Sequence, residues 1–308
     1  MSIVIVSTAR ASSHWVKTLK EKDESLDIQV YPDVKRPEDI EFAISWKHPK
    51  GLYQNYPNLK VIASMGAGVN HILKDENLPK NVKVTRIVDE QLTKDMGQFV
   101  LLQCLAISRN LFTHLHDQKR KHWEVKRYQT PEQTKVGIMG YGVLGQEAGR
   151  ALKANGFSVV GYANSSKTVD GIRVYGADEQ GQFLKQTQIL VCLLPVTPNT
   201  QGVLNIQLFK KLQPNAYLVN VARGEHLVEK DLISAIDQGF IKGASLDVFQ
   251  EEPLPESHPF WNHKDIQITP HIASMTDPES VAKQLLDNYK RMKDGESLIN
   301  EVNRNKGY

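Results

Sequence analysis

Short runs of consecutive apolar residues recur along the chain, and stretches with a helical spacing of apolar positions separate many of them. A continuous apolar run of about four to eight residues is typical of a strand buried on both faces of a parallel sheet. In the first third of the chain this pattern predicts the strands Ile3–Val6, Ile28–Tyr31, Phe42–Trp46, Leu59–Met65 and Val82–Ile87. A helix is predicted at Trp15–Lys22, so the first part of the chain has the alternation of a parallel α/β domain.

A second alternating block begins at Lys135. Its first helix is predicted at Gly145–Asn155. Its predicted strands are Val136–Met139, Phe157–Tyr162, Ile189–Leu194, Leu218–Val221, Gly243–Leu246 and Asp265–Thr269. Helical segments of about 10 to 15 residues between strands are typical of a doubly wound parallel sheet. The sequence therefore predicts an α/β protein with two doubly wound, Rossmann-like domains.

A helix with periodic apolar residues, predicted at Met96–Arg109, joins the two blocks. The segment Asn110–Arg127 that follows is rich in Lys, Arg and His. It fits either a solvated helix and loop or a helical arm that packs against a second subunit. A last helix is predicted at Pro278–Lys293, where the chain can return to the first block. We predict a discontinuous first domain, residues 1–98 and 275–308, and a second domain, residues 99–274.

Composition and charge set few further limits. The 308 residues, 40% hydrophobic and 24% charged, suffice for two domains with hydrophobic cores. The net charge of +3 gives no reason to expect a nucleic-acid or membrane partner. Cys104 and Cys192 lie in apolar runs and are expected to be buried free thiols. Because the chain has no Cys-x-x-Cys pair, no metal site is predicted.

The first residues of the chain give an expectation about the cellular compartment of the protein. The apolar run Met1–Ser7 lacks a basic region and a cleavage site, so it is expected to be a first strand and not a signal peptide. No apolar run approaches the ~20 residues that a membrane-spanning helix needs. A cytosolic location is the resulting expectation.

A glycine motif follows the first strand of the second block. Residues Gly140–Gly145 have the pattern G-x-G-x-x-G, directly after an apolar strand and at the start of a helix. In that context the glycines allow a tight turn, a close approach of a pyrophosphate and close helix–strand packing. The free N–H groups and the dipole of the helix N-terminus then favour the phosphates. The predicted cofactor contacts are Gly140, Gly142, Val143, Leu144 and Gly145.

The loop after the next strand bears on the choice of cofactor. An Asp or Glu about 20 residues after the motif would hydrogen-bond the ribose 2′-hydroxyl and favour NAD(H). Here the chain has instead Asn164, Ser165, Ser166 and Lys167, whose polar groups can donate to a 2′-phosphate. We therefore predict that NADP(H) is preferred. Because the loop contains no Arg, NAD(H) is retained as a second cofactor.

Charged residues also follow three successive predicted strands. They are Arg223, Glu252 and His271, and the loops at the carboxyl ends of such strands line the ligand crevice of an open α/β sheet. The guanidinium of Arg223 can bind the carboxylate of a 2-keto acid and polarise its keto oxygen. His271 can give that oxygen a proton near neutral pH. A carboxylate at Glu252 would stabilise the imidazolium and fix its tautomer.

In these motifs the chain resembles the D-isomer-specific 2-hydroxyacid dehydrogenase family, over nearly its whole length. The shared motifs are Gly140–Gly145, Asn220–Gly224, Leu246–Pro253 and Pro270–Ala273. The family's catalytic Arg and His fall on Arg223 and His271, and its Glu, the acid directly before Pro, falls on Glu252 and not on Glu251. Stretches similar to the glyoxylate/hydroxypyruvate reductase branch of the family include Ser45–Pro49, Ser64–Asn70, Ser165–Lys167 and Val302–Tyr308.

The resemblance implies a fold and an activity. The fold is a flavodoxin-like substrate-binding domain (residues 1–98 and 275–308) and an NAD(P)-binding Rossmann domain (residues 99–274), with the active site in the cleft, usually in a homodimer. The activity is NAD(P)H-dependent reduction of glyoxylate or hydroxypyruvate to glycolate or D-glycerate, with His271 as proton donor. The loop after the second strand departs from that branch, which carries Arg residues where this chain has Asn164 and Ser166.

The resemblance also implies roles for other residues. The main-chain N–H groups of Ala67, Gly68 and Val69 would hold the substrate carboxylate opposite Arg223. Trp46 would either wall the substrate pocket or serve plain packing. Asp247 would bond the nicotinamide carboxamide. The remaining cofactor contacts implied by position are Leu194, Pro195, Thr200, Val221, Ala222 and Ala273.

Two alternatives stay open at this point. The first is an NAD-dependent D-lactate or D-3-phosphoglycerate-type dehydrogenase; the phosphate of the second substrate would call for more basic residues near Trp46 than Lys47 and Lys50. The second is a non-catalytic dinucleotide-sensing module, which the presence of all three catalytic residue types disfavours. Turnover separates an enzyme from a sensor, because fold alone does not decide function.

Overall fold

The computed structural model describes residues 1–8 and 12–304. Residues 305–308, which end both the predicted first domain and the stretch Val302–Tyr308, lie outside the described residues. The chain divides into two compact units. Unit 1 comprises Met1–Leu92 and Thr276–Tyr308, and unit 2 comprises Thr93–Met275.

Unit 1 is built on a five-stranded sheet in which each neighbouring pair of strands is parallel. Its strands are β1 (Ser2–Ser7), β2 (Ile28–Val30), β3 (Ile40–Trp46), β4 (Val61–Ser64) and β5 (Lys83–Thr85), in the order β2-β1-β3-β4-β5. This is the flavodoxin-like order 2-1-3-4-5. The helices of its first segment are α1 (Ser12–Lys22) and α2 (Asn70–Leu73). Helix α1 buries Trp15, Thr18 and Leu19, whose spacing places them on one face.

Two helices follow before the second sheet. They are α3 (Glu90–Ser108), in which the division between the units falls, and α4 (Leu111–Lys119). The segment Asn110–Arg127 therefore forms a short helix and a loop. Trp123 and Val125 in that loop are 95% and 91% exposed.

Unit 2 holds an eight-stranded sheet. Its strands are β6 (Lys135–Met139), β7 (Ser158–Tyr162), β8 (Lys167–Val169), β9 (Ile172–Tyr175), β10 (Ile189–Cys192), β11 (Ala216–Asn220), β12 (Ile241–Leu246) and β13 (Ile266–Ile268). The order is β13-β12-β11-β10-β6-β7-β9-β8, and all pairs are parallel except β8 with β9. Without β8 this contains the Rossmann order 3-2-1-4-5-6, extended by one strand. The helices are α5 (Val143–Ala154), α6 (Gln180–Lys185), α7 (Ile206–Phe209) and α8 (Glu229–Asp237).

The central strands of unit 2, such as β10 and β11, are buried along their whole length because both faces of the sheet are covered there. Leu190 and Leu218 belong to one core cluster, and Val191 and Val219, the next residue along each strand, belong to another. Successive side chains of a strand point to opposite faces, so the side chains of each strand pack into two cores, one on each face of the sheet. The carboxyl ends of the parallel strands meet at one edge of the sheet.

The chain then returns to unit 1 through α9 (Pro278–Asp294). Asp277 caps this helix by accepting from the N–H of Glu279, and Gly295 ends it in the left-handed conformation. The Thr18 hydroxyl of α1 donates to Glu279 at 2.8 Å. No helix among residues 1–8 and 12–304 combines the length and the apolar character that crossing a bilayer requires.

One prediction about the elements was wrong. The segment after Tyr162 was predicted as a loop, but Lys167 begins β8, which forms an antiparallel hairpin with β9. Both strands lie at the edge of the sheet, and every second residue of β9 is polar or partly exposed. An edge hairpin with one solvated face lacks the continuous apolar run that marks the buried strands.

Candidate active site

The glycine motif forms the turn between β6 and α5. Gly140 has φ of 106°, and a Cβ there would lie 2.5 Å from the carbonyl oxygen of Leu193, so only glycine fits. A Cβ on Gly142 would have no atom within 4 Å, which leaves the main chain of the turn open to a ligand. Gly142 occupies the N-cap position of α5, and no side chain caps the helix. These features fit a dinucleotide whose pyrophosphate meets the first N–H groups of α5, those of Val143, Leu144 and Gly145.

The predicted 2′-phosphate loop follows β7 at the same edge of the sheet. Asn164, Ser165, Ser166 and Lys167 are all exposed. The main chain of the loop is tied to β9, because the N–H of Ala163 donates to the carbonyl of Tyr175 at 3.0 Å. The side chains thus stand on a fixed backbone in solvent, where they are open to a phosphate.

Arg223 follows β11 and is partly buried. Its Nη1 donates to the carbonyl of Ala222 at 2.6 Å. Burial lowers the pKa of the guanidinium, while the charges of Glu225 and Glu252 raise it. An arginine keeps its proton under such opposing effects, so Arg223 is a cation that acts on Glu252 through its charge.

Glu252 and His271 form a direct pair. Oε2 of Glu252 lies 2.9 Å from Nδ1 of His271, and Oε1 of Glu252 accepts from the main-chain N–H of Phe249 at 3.2 Å. The side chains of His271 and Glu252 are 27% and 19% exposed. The carboxylate of Glu252 therefore faces Nδ1 of the ring and not Nε2. Of the three residues predicted from the sequence, Glu252 therefore interacts with both of the others, His271 by direct contact and Arg223 through its charge.

The loop that carries His271 is fixed by Asp247, which is 1% exposed. One oxygen of this carboxylate accepts from the Thr269 hydroxyl at 2.6 Å and from the N–H of Ile272 at 2.9 Å. The other accepts from the N–H of Ala273 at 2.8 Å. His271 between them has φ of 56°, a left-handed conformation that is uncommon for residues other than glycine and that the surrounding hydrogen bonds hold in place. Asp247 thus positions the His271 loop, and its contact with a nicotinamide stays a prediction.

The remaining predicted cofactor residues lie in the loops after β10, β11 and β13. Pro195 is exposed, and its carbonyl accepts from the Thr200 hydroxyl at 2.7 Å. The same hydroxyl accepts from the N–H of Thr197 at 2.8 Å, so it closes the turn of this loop. Leu194 is partly buried. The other three residues are buried, at most 6% exposed: Val221, Ala222 and Ala273.

In unit 1 the predicted substrate loop follows β4. The Ser64 hydroxyl donates to the carbonyl of Gly68 at 2.8 Å and accepts from the N–H of Gly66 at 3.2 Å, which folds the loop back on itself. Within the part of the chain that the structure describes, no protein acceptor faces the main-chain N–H groups of Ala67, Gly68 and Val69. Such a turn offers its N–H groups to an anion.

Trp46 ends β3 and is 8% exposed. Its ring lies 4.8 Å from that of His71 between centroids, and a Cβ on Gly66 would lie 3.0 Å from its Cζ3. The indole therefore packs on the substrate loop within unit 1. A role as wall of a substrate pocket stays a prediction.

Three residues to which the sequence analysis gave no role of their own shape these loops. Ser64 folds the loop after β4, as described above. Asn220, fully buried at the end of β11, donates to the carbonyl of Arg223 at 3.1 Å and accepts from the N–H of Ala222. His226, also fully buried, contacts the carbonyls of Arg223 and Pro195. A buried polar side chain directly at a strand end was the available signal for Asn220; no local pattern marks His226.

Comparison with known proteins gives the same assignment along the whole chain. The model of the D-isomer specific 2-hydroxyacid dehydrogenase NAD binding domain matches residues 101–273. A glyoxylate/hydroxypyruvate reductase A from Serratia proteamaculans is 36% identical over 315 residues, covering 100% of each chain.

Solved structures agree with the sequence relatives. A D-isomer specific 2-hydroxyacid dehydrogenase from Xanthobacter autotrophicus, in complex with NADPH and MES, has a TM-score of 0.93 at 34% identity and covers 100% of this chain and 99% of its own. An NADPH-dependent glyoxylate/hydroxypyruvate reductase from Sinorhizobium meliloti, in complex with NADP and sulfate, has a TM-score of 0.92 at 35% identity and covers 100% of both chains. With the two sheets, these similarities confirm the predicted α/β fold with two Rossmann-like domains. The chain belongs to the D-isomer-specific 2-hydroxyacid dehydrogenase family.

Proposed function

We propose that this protein is an NADP(H)-preferring reductase that converts a small 2-keto acid, glyoxylate or hydroxypyruvate, to glycolate or D-glycerate. The observation that carries the proposal is the 2.9 Å pair of His271 and Glu252 with the cation of Arg223 acting on the same carboxylate. This group lies at the sheet edge where the dinucleotide motif also lies. The relatives named as glyoxylate/hydroxypyruvate reductases support the choice of substrate.

Each member of the group has a distinct part in the reaction. Arg223 binds the substrate carboxylate with its fork of N–H donors and polarises the keto oxygen. His271 holds a proton at Nε2 and delivers it to that oxygen as negative charge develops there. Glu252 holds the ring through Nδ1 and stabilises its protonated form. In unit 1 the proposed substrate-binding groups are the N–H groups of Ala67, Gly68 and Val69, and the proposed role of Trp46 is to limit substrate size.

The cofactor is held by the loops of unit 2. A bound NADPH supplies hydride to the keto carbon. The motif Gly140–Gly145 binds the pyrophosphate, and Asn164–Lys167 bind the 2′-phosphate. The loops after β10, β11, β12 and β13 contact the nicotinamide half through Leu194, Pro195, Thr200, Val221, Ala222, Asp247 and Ala273. The exposed polar loop after β7 contains no carboxylate that would repel a 2′-phosphate, which supports NADP(H) over NAD(H), with NAD(H) a poorer cofactor.

The test is absorbance of the reduced nicotinamide with purified protein, glyoxylate or hydroxypyruvate, and NADPH beside NADH. We expect both keto acids to be reduced, and NADPH to be oxidised faster than NADH. H271A is expected to abolish most turnover with little change in NADPH affinity. Turnover unimpaired by H271A would exclude His271 as the proton donor. NADPH binding without turnover of any 2-keto acid would instead support the sensing module.

We further propose a homodimer that works in the cytosol, without nucleic-acid or membrane partners. The side chains of Leu102, Trp123 and Val125 are exposed, and Leu102 also lines a groove of about 390 Å³ formed by residues of α3, α4 and the loop after them. In a two-fold contact each copy offers the same surface and the same groove to the other, so a protruding Trp123 can fill a partner's groove. Light scattering of wild type and W123D tests this: a dimer that becomes a monomer supports the contact, and a monomeric wild type refutes it.

A further inference from the structure

The buried ring of His226 lies between two loops of the proposed active site. His226 ends the short 3₁₀ turn Gly224–His226 after β11 and is 0% exposed. Its Nδ1 lies 3.1 Å from the carbonyl oxygen of Arg223, and its Nε2 lies 3.2 Å from the carbonyl oxygen of Pro195. One imidazole therefore contacts the main chain of the proposed carboxylate-binding arginine and the main chain of a proposed nicotinamide loop.

The number of hydrogen bonds that the His226 ring can donate depends on its charge. A neutral imidazole has one donor and one acceptor nitrogen, so it bonds one of the two carbonyls, whereas an imidazolium bonds both. Neither carbonyl depends on the ring alone, because Asn220 Nδ2 donates to Arg223 at 3.1 Å and the Thr200 hydroxyl donates to Pro195 at 2.7 Å. What His226 adds is a side-chain link between the two loops.

The charge state of the ring depends on groups from both loops. Burial lowers the pKa of His226 and is the largest effect; the carbonyls of Pro195 and Arg223 and the charge of Glu225 raise it, and the charge of Arg223 lowers it. With a lowered pKa the neutral ring predominates near neutral pH, so one of the two contacts is a hydrogen bond at a time.

The main chain at Arg223 is packed tightly against the segment that carries Glu252. A Cβ on Gly224 would lie 1.9 Å from the carbonyl carbon of Phe249, so the two backbones are in direct contact. The N–H of Phe249 in turn donates to Glu252, whose other oxygen faces His271. A shift of the main chain at Arg223 and Gly224 would therefore move both the guanidinium and the carboxylate that holds His271.

We propose that His226 is a positioning residue that links the main chain of Arg223 to the loop at Pro195, and so aligns the substrate-binding cation with the cofactor side of the site. This inference rests on the proposed function, because it takes the roles of Arg223 and Pro195 from it. Main-chain bonds from Gly202 to Glu225 and from Leu204 to His226 join the same segments and do not involve the ring. Variants of the ring are therefore expected to fold.

Two substitutions separate the two contacts. The amide nitrogen of Asn can replace Nδ1 and keep the bond to Arg223, whereas that of Gln can replace Nε2 and keep the bond to Pro195. We expect H226Q to lower kcat/KM for glyoxylate about 2- to 5-fold, less than one full hydrogen bond is worth, because the neutral ring donates to only one of the two carbonyls at a time; the Kd of NADPH is expected to change less than about twofold. We expect H226N to weaken NADPH binding by a similar factor and to retain most of kcat at saturating NADPH. Kd is measured by quenching of tryptophan fluorescence, without substrate.

Matched control variants are H258N and H258Q. His258 lies in the same unit, and its ring contacts Glu229 at 3.3 Å and the N–H of Phe260, with no contact to Arg223 or Pro195. The controls and the His226 variants are compared at equal folded fraction, set from their thermal unfolding curves. The controls are expected to change stability without separating kcat/KM from the Kd of NADPH.

Opposite effects of H226N and H226Q on the two readouts support the inference. Equal losses in both variants, or wild-type values in both, overturn it, because the ring would then act only by filling space. If the wild type reduces no 2-keto acid, the proposed function is refuted separately. The Kd of NADPH then decides on His226: weaker binding in H226N than in H226Q supports the link to Pro195, and equal binding overturns it.

Discussion

Oε2 of Glu252 lies 2.9 Å from Nδ1 of His271, and Oε1 of the same carboxylate accepts from the main-chain N–H of Phe249. One oxygen of the carboxylate is thus bound by the backbone of Phe249, and the other contacts the ring of His271. The pair therefore sets the orientation of the ring.

Replacing Glu252 by Gln tests the electrostatic part of that pair. Gln keeps the size of the side chain but removes the negative charge that stabilises the imidazolium. We expect kcat for keto-acid reduction to fall by about 100-fold or more, because the amide offers the proposed proton donor no negative charge. The measurement is kcat for wild type and E252Q at saturating NADPH, with the Kd of NADPH as control. A kcat close to that of the wild type would mean that Glu252 serves only to orient the ring.

Replacing Arg223 by Lys tests the fork geometry. A lysine keeps the positive charge but loses the planar set of donors that matches a carboxylate and a keto oxygen together. We expect kcat/KM for glyoxylate to fall by about 100-fold or more, the scale seen when a donor to a developing oxyanion is removed. The Kd of NADPH should change little. An R223K enzyme with wild-type kcat/KM would show that positive charge alone suffices at this position.

The sequence predicted that Arg223, Glu252 and His271 lie near one another because each follows a buried strand, and their catalytic roles stay predictions. A strand covered on both faces must be a continuous apolar run, so its carboxyl end is visible in the sequence, and parallel strands bring those ends to one edge. Arg223 and His271 were found in this way. The acid of the pair was identified from its place directly before Pro253.

The residues that escaped prediction depend on contacts between distant segments. The partner of His226 on the cofactor side, Pro195, lies 31 positions away in the chain, and the ring is positioned by the packing of two loops. The role of Asp247 in holding Ile272 and Ala273 likewise depends on the pairing of β12 with β13. Local periodicity carries no information on such contacts. The hairpin of β8 and β9 was missed because one of its faces is solvated.

The proposed 2′-phosphate contacts in the loop after β7 lead to a prediction about the preference for NADPH over NADH. Lys167 is exposed at the start of β8, and Ser166 beside it is also exposed, so both positions accept substitution without repacking. We expect K167A to lower kcat/KM with NADPH about tenfold or more, the scale of a lost charge-assisted hydrogen bond, and to leave the value with NADH almost unchanged.

The complementary variant is S166R, which adds a guanidinium beside Lys167. We expect it to raise the ratio of kcat/KM for NADPH over NADH, because a second cation then faces the 2′-phosphate. Steady-state kinetics with both cofactors measure the ratio. Equal losses with NADPH and NADH in K167A would show that the loop does not contact the 2′-phosphate.

The buried histidines predict how stability depends on pH. Burial lowers the pKa of His48 and of His226 below the value of about 6.5 that applies in the unfolded chain. Below pH about 6.5 the unfolded chain therefore binds protons that the folded protein does not, and the free energy of unfolding decreases as the pH falls. The slope approaches about 1.4 kcal/mol per pH unit for each such histidine until the pH reaches its folded pKa.

Urea unfolding between pH about 7.5 and 5 measures this dependence, and H48N and H226N assign it. His48 lies in unit 1 and His226 in unit 2, so each substitution should flatten the pH dependence of the transition of its own unit where the two units unfold separately. H14N, which replaces an exposed histidine of unit 1, controls for the loss of an imidazole as such. Asn does not titrate. If the free energy of unfolding still falls with pH in both H48N and H226N as it does in the wild type, the acid sensitivity belongs to other groups. The two buried rings would then take up protons as readily in the folded protein as in the unfolded chain.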